Sequence, residues 1–259
     1  MAYQFLQLEI ADKIAVISLN NPPSNSLKMG LLQELDRMLD EMYANSEVKV
    51  MILTGAGKTF ASGADIEEIS KLTNASQAKE MSAFGQKVFL KLESGPKPVI
   101  AAINGFCLGG GLELAMSCHI RIASDRALMG LPEISLGIIP GFGGTQRLPR
   151  IVGLSKATQM ILSGDQVRSE EALAIGLVNM IAPKDTLVDD AKKLAAKITS
   201  KSLVSIGKAL KSMAQGSQTD ITKAMDIEST CFSELYGTHD MKEGVAAFLE
   251  KRKANFQDK

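Results

Sequence analysis

The stretch FCLGGGLELAMS, residues 106–117, decides how this chain is read. Gly109, Gly110 and Gly111 stand directly before an apolar run that reads as the opening of a helix, and Glu113 falls in its first turn. Ordering a glycine costs backbone entropy, so a segment that keeps three in a row needs a tight turn or the close approach of another group to bare main chain. Ahead of the glycines, PKPVIAAING (96–105) reads as a buried strand; after the helix, HIRIAS (119–124) reads as the next one. Strand, bend, helix, strand is the pattern of a parallel sheet with crossover connections.

The same cycle extends outward in both directions. FLQLEI and IAVISLN, joined by ADK, alternate as two strands over residues 5–20. NPPSNS (21–26) breaks that pattern, and Leu31, Leu32, Leu35, Met38, Leu39 and Met42 then recur at the spacing of an amphipathic helix. VKVMILTG (48–55) is a short buried strand, and a helix is predicted over 75–93. Downstream, ALMGLPEI gives a short strand and a loop, GTQRLPRIVG leads into a helix, SKATQMILSG and SEEALAIG are helical, and LVNMIAP is a strand. From about residue 185 to 259 the periodicity is almost wholly helical. Nothing along the chain demands two independent domains; the pattern is an α/β stack of strand and helix units with a helical tail.

Composition narrows the function classes. At 259 residues and 45% hydrophobic content the chain is ample for one large core. The 29 basic and 29 acidic residues cancel, so no overall field gathers nucleic acid or an anionic membrane surface. The start, MAYQFLQLEIADKIAVISL, has neither the basic flank and apolar block of a secretion signal nor an organelle presequence's arginine-rich look, and reads as mature protein. Every apolar run is far shorter than the roughly 20 residues that span a bilayer. Cys107, Cys118 and Cys231 form no CxxC pair, and only His119 and His239 could help bind a metal, so buried reduced thiols in a cytoplasmic protein, without a metal site, are the expectation.

Two nucleotide-like motifs fail on inspection. TGAGKTF (54–60) ends like a phosphate loop, but the required glycine is Ile52; the glycines of GFCLGGG (105–111) do not match GxGxxG. More informative is TFASGADIEEI (59–69), a second small-residue bend that follows a strand and opens a helix at Asp65. Either bend alone is explained as a tight connection. Together they offer two N–H donors from different loops that could converge on one oxygen, the arrangement that stabilises negative charge on a carbonyl as it becomes enolate-like. Glu113 shares a helix face with Gly110 and leans back toward the helix start, so it is expected to aim at the glycine loop. Glu133 sits in the otherwise apolar LPEISLGIIPGFGG, a costly place for a charge unless it is used or paired. A first-turn acid on Glu113 and a solvated loop charge on Glu133 are the plain alternatives, since distance along the chain does not show that the two meet. Two carboxyls in one partly dry pocket would have their pKa values pushed apart, which suits adding and removing water.

FASGADI, PVIAAINGFCLGGGLELAMSC and LPEISLGIIPGFGGTQRLPRIVG together resemble the crotonase superfamily, and within it the enoyl-CoA hydratases; the likeness runs from about Val16 to AAFLEKRKANF at 246–256. It implies a ClpP/crotonase-like spiral of β-β-α units over residues 1–195 and a C-terminal helical region, 196–259, that helps form a homotrimer or a dimer of trimers. It implies reversible hydration of a trans-2-enoyl-CoA, with coenzyme A part of the substrate and no separate cofactor. Ala64 and Gly110 match the oxyanion-hole amides, Glu113 the group that activates water for attack at C3, Glu133 the group that exchanges the proton at C2, and Gly141 a backbone group that holds the water. Ser62, Asp65 and Ile66 fall in the segment along the CoA and the acyl entrance. The departure is PPSNSL, where Ser26 stands in place of the family's usual alanine near the CoA channel.

Two other readings are weighed against this one. A specialised hydratase or isomerase of branched, aromatic or unsaturated acyl-CoA would keep the same oxyanion hole. An RNA-binding protein on the same scaffold would use Lys71, Lys79, Lys87 and Lys91, but Glu80 and Glu93 interrupt that stretch and a solvated helix face explains it, so no nucleic acid and no membrane partner are expected.

Overall fold

The computed structural model describes residues 3–259. Strands β1 (Leu6–Ala11) and β2 (Ile14–Leu19) form an antiparallel hairpin, followed by helix α1 (Met29–Ala44). Then come β3 (Val50–Gly55), β4 (Thr59–Ala61), α2 (Ile66–Ser70) and α3 (Ala75–Glu93). The next units are β5 (Val99–Ile103), β6 (Phe106–Leu108) and α4 (Gly110–Met116), then β7 (Ile120–Ser124), β8 (Leu128–Gly130), a 3-10 turn over Pro132–Leu136, α5 (Gly144–Val152) and α6 (Leu154–Ser163). Finally β9 (Gln166–Arg168), α7 (Ser169–Ala174) and β10 (Met180–Ala182) lead into α8 (Leu187–Thr199), α9 (Leu203–Gly216), α10 (Ile221–Ser233) and α11 (His239–Leu249).

The strands separate into two sheets. One has the order β1-β2-β3-β5-β7-β10, parallel except for the first hairpin; the other is β4-β6-β8-β9, parallel except for β9. Two strands in different sheets, then helix, repeated around the molecule, is the β-β-α spiral of the crotonase fold. The second sheet is the part the sequence announced only at β8, within ALMGLPEI. Its strands are three residues long, too short to show alternation, so TFA and FCL read only as bends, and β9 carried no signal at all. GTQRLPRIVG is itself α5 rather than the approach to a helix, with Pro149 inside it.

The larger sheet is buried on both faces. In β3, Met51 and Leu53 point into the main core with α1 and α3, while Val50 and Ile52 point into a second cluster closed by Leu187, Ala191 and Ala195 of α8. All six apolar positions expected on α1 are buried, each worth about 1.5–3 kcal/mol relative to exposure. The expected boundary at 195/196 falls inside α8; beyond it, Phe232, Tyr236 and Phe248 on the tail lie largely exposed. The C-terminal end returns to the sheet, where Asp258 accepts hydrogen bonds from Lys49 Nζ (2.7 Å) and Leu203 N (2.8 Å).

Helix α4 seats directly on β4 at Gly111, where any side-chain carbon would overlap the carbonyl of Ala61. Backbone, unlike a flexible side chain, cannot step aside. Gly111→Ala should therefore cost at the upper end of the roughly 1–3 kcal/mol typical of overpacking and lower Tm by roughly 5 °C or more. Thermal unfolding checks this; an unchanged Tm would contradict the packing.

Candidate active site

A cavity of about 250 Å³ opens between α2 and α3 on one side and the glycine turn, the 3-10 turn and the 137–142 loop on the other. Ser62, Ala64, Ile66, Gly110, Glu113, Glu133 and Gly141 all line it. Its remaining walls are mainly apolar, supplied by residues such as Ile69, Leu72, Met81, Leu136, Ile138 and Phe142, which sequence reasoning could not place.

The register of the smaller sheet brings the two bends together. Because β4 pairs in parallel with β6, Ala61 opposite Cys107, the turns that leave both strands stand side by side. A side-chain carbon on Gly110 would lie 3.3 Å from Ala64 N. Gly110 is the first residue of α4, and its N–H belongs to the first-turn amides that have no intrahelical partner. Buried polar side chains fix the bend before Ala64. Asn25 Nδ2 donates to the carbonyls of Thr59 (2.7 Å) and Ala56 (3.1 Å), Asn104 binds both the N–H and the carbonyl of Gly55, and Leu27 N donates to Gly63 O at 2.8 Å. These asparagines were not picked out in the sequence; polar residues beside bends were the only signal.

Glu113 and Glu133 line the same cavity from different elements, but Glu113 does not aim at the glycine loop. Its Oε1 accepts from Phe142 N (2.8 Å) and Gly144 N (2.6 Å), so it reaches the Gly141–Gly144 segment instead. The helix direction alone could not reveal this, because the acceptor's partners lie some thirty residues on. Glu133 is the carboxyl that meets the glycines: its Oε1 lies 3.1 Å from where a side-chain carbon on Gly109 would sit. Its Oε2 is buried with no hydrogen-bond partner among the described residues.

Burial disfavours the ionised form of both acids. Glu113 is pushed up to about 7 by desolvation and by the charge of Glu133, against the opposing donors Gly144 N and Phe142 N and the cation Arg147. Glu133 is pushed up to about 6, also by desolvation, opposed by its own backbone N–H. The two titrate as a pair in the neutral range.

Other predicted positions are occupied structurally. Asp65 does not line the cavity: its carboxylate caps α2 through Glu68 N (3.2 Å) and accepts from Ser26 Oγ (2.9 Å). Ser26 is thus the support of Asp65. Ser62 Oγ donates to Ser24 Oγ (3.0 Å), and the Gly141 carbonyl accepts from Ser82 Oγ (2.6 Å) and Gln86 Nε2 (2.8 Å) of α3. Lys91 pairs with Asp36 and Asp40 of α1, and Lys87 approaches Asp36. Cys107, Cys118 and Cys231 are buried free thiols. Among the described residues no group of three or more His, Cys, Asp or Glu could hold a metal, and no helix is long and apolar enough to cross a membrane.

Comparison with known proteins places this geometry. A sequence model described as enoyl-CoA hydratase/isomerase matches residues 9–259. The chain is 46% identical to a crotonyl-CoA hydratase of Syntrophomonas wolfei over the full length of both, and 46% identical to a short-chain-enoyl-CoA hydratase of Clostridium acetobutylicum over 95% of each. The crystal structure of an enoyl-CoA hydratase from Bacillus anthracis superposes with a TM-score of 0.95 at 37% identity, covering 99% of this chain and 100% of that one.

The raised pKa of Glu113 has a stability consequence. Between its ordinary value of 4.5 and about 7 the folded protein holds a proton that the unfolded chain has lost, so stability falls as pH rises through that window. Glu113→Gln removes this titration. The Tm of the variant relative to the natural chain should rise between about pH 5 and pH 7 and then level off, as differential scanning calorimetry across pH would show.

Proposed function

The chain belongs to the enoyl-CoA hydratase/isomerase family, and from that premise we propose how its own residues perform the hydration of an enoyl-CoA. The chain is an enzyme of this reaction, the reversible addition of water to a trans-2-enoyl-CoA to give a 3-hydroxyacyl-CoA.

The thioester carbonyl sits against the amides of Ala64 and Gly110, which hold the negative charge that develops on its oxygen as water adds. One such donor is typically worth about 3–4 kcal/mol of barrier. Glu113 orients water, with help from Gly141, and removes its proton as oxygen attacks C3. Glu133 delivers a proton to C2. The addition is redox-neutral and the acid pair handles both protons, so the substrate's coenzyme A is the sole cofactor-like group required. What carries this reading is that both carboxyls, from α4 and from the 3-10 turn, line the one cavity that also holds Ala64 and Gly110. Both carboxyls are held above the ordinary carboxylate range by burial, which keeps each within reach of gaining and losing a proton near neutral pH.

The small apolar cavity and the names of the relatives favour a short acyl chain. The exposed apolar side chains of α10 and α11, Phe232 and Phe248 among them, favour self-assembly, for which the family resemblance implies a homotrimer or a dimer of trimers. A cytoplasmic setting agrees with three free thiols.

Crotonyl-CoA mixed with the purified protein should lose its enoyl-thioester absorbance. Glu113→Gln and Glu133→Gln should each lower kcat by about 100- to 10,000-fold with KM changed much less. Near-normal turnover in both variants would show that the pair is misassigned. A panel of enoyl-CoA substrates should show kcat/KM falling with acyl chain length.

A further inference from the structure

The motif GFGGTQR contains a side chain that the hydration chemistry does not use. Arg147, on the first turns of α5, is mostly buried and points back beneath its own helix. Its Nη1 donates to the carbonyl of Phe142 at 2.9 Å, while Nε and Nη2 donate to one oxygen of Glu93, the last residue of α3, at 3.0 and 2.8 Å. The peptide unit it grips, Phe142–Gly143, lies between the two whose amides hold Glu113: Phe142 N and Gly144 N both donate to Glu113 Oε1. The residue between them is Gly143, at φ +109°, and any side-chain carbon there would overlap Nη1 of Arg147. The chain leaves that space to the guanidinium.

We propose that Arg147 is a positioning residue for Glu113, a clamp that Glu93 anchors and that sets both the direction of the Phe142 and Gly144 amides and the charge felt by the Glu113 carboxylate. The proposal rests on the assignment of Glu113 as the group that activates water. A planar guanidinium donates in fixed directions to two acceptors at once, which a lysine ammonium cannot reproduce. Glu133 faces Glu113 from the 3-10 turn, Arg147 faces it from α5, and Arg147 is backed by Glu93 of α3 and by Cys118 beyond the end of α4, which in turn lie within the charge reach of His119 and Arg121 at the start of β7. Burial and Glu133 push Glu113 up, and Arg147 is the cation that opposes them. The geometry therefore gives Arg147 two separable effects, one through orientation and one through charge.

The test uses Arg147→Gln, Arg147→Lys and Glu93→Gln in the full chain, with steady-state hydration of crotonyl-CoA from pH 5 to 9 and a ¹³C NMR titration of the Glu113 carboxyl. Arg147→Gln should lower kcat by roughly 10- to 100-fold with KM within about threefold, the scale of a misplaced catalytic group. The pKa of Glu113 and the acid limb of the rate profile should both move to higher pH, because a cation has been removed. Arg147→Lys should leave that pKa nearly in place while kcat still falls. Glu93→Gln should shift kcat in the same direction by less. An unmoved Glu113 titration in Arg147→Gln overturns the proposal, whether or not activity or Tm has dropped, because a merely structural role would lower those alone. Absence of hydration by the natural chain would instead overturn the assignment of Glu113, and the NMR titration would still decide whether Arg147 governs its charge.

Discussion

The buried carboxylate of Glu113 is the constraint around which the site is arranged. A charge-bearing group with about 1% of its surface exposed is unfavourable unless it is hydrogen-bonded, and the two donors it finds are main-chain amides of a loop whose carbonyls are held in turn by Ser82, Gln86 and Arg147. One hydrogen-bonded oxygen therefore ties α4 to the loop that opens α5. Glu113 also lines the cavity on which Glu133 and the two bends converge.

The spiral architecture makes this convergence possible. Each unit sends one strand to the large sheet and a short one to the small sheet, so the turns that follow β4, β6 and β8 stack at one edge of the molecule. The first turn supplies Ala64, the second Gly110 and Glu113, the third Glu133. A parallel sheet buried on both faces is stiff, and groups that must converge on one substrate benefit from a frame that does not yield. The close seat of Gly111 on Ala61 and the riveting of the β3–β4 connection by Asn25 and Asn104 serve the same end.

The electrostatics follow from the same burial. Desolvation lifts both carboxyls above their ordinary range, and the charge of Glu133 adds to the rise at Glu113. The surface lysines of α3 belong to a different account: Lys91 and Lys87 engage Asp36 and Asp40 and help hold α3 against α1.

Much of this was legible in the chain. The periodicity of Leu31 to Met42, the extent of α3 and the strands of the large sheet could be read because each is long enough for its period to show. The bends that carry Ala64 and Gly110, which line the cavity, were marked by glycines and small side chains after a strand, with the two residues themselves implied by the resemblance, and Glu133 was marked by its apolar surroundings. The small sheet beyond β8 was not legible, since three residues carry no period and their pairing is a matter of register between distant segments. Nor was the direction of Glu113, the role of Asp65 as a cap supported by Ser26, or the grip of Arg147 on Phe142. Residue types and local spacing follow from the sequence; which amide a carboxylate meets across thirty residues is decided only when strands from separate units pair and bring their turns to one edge.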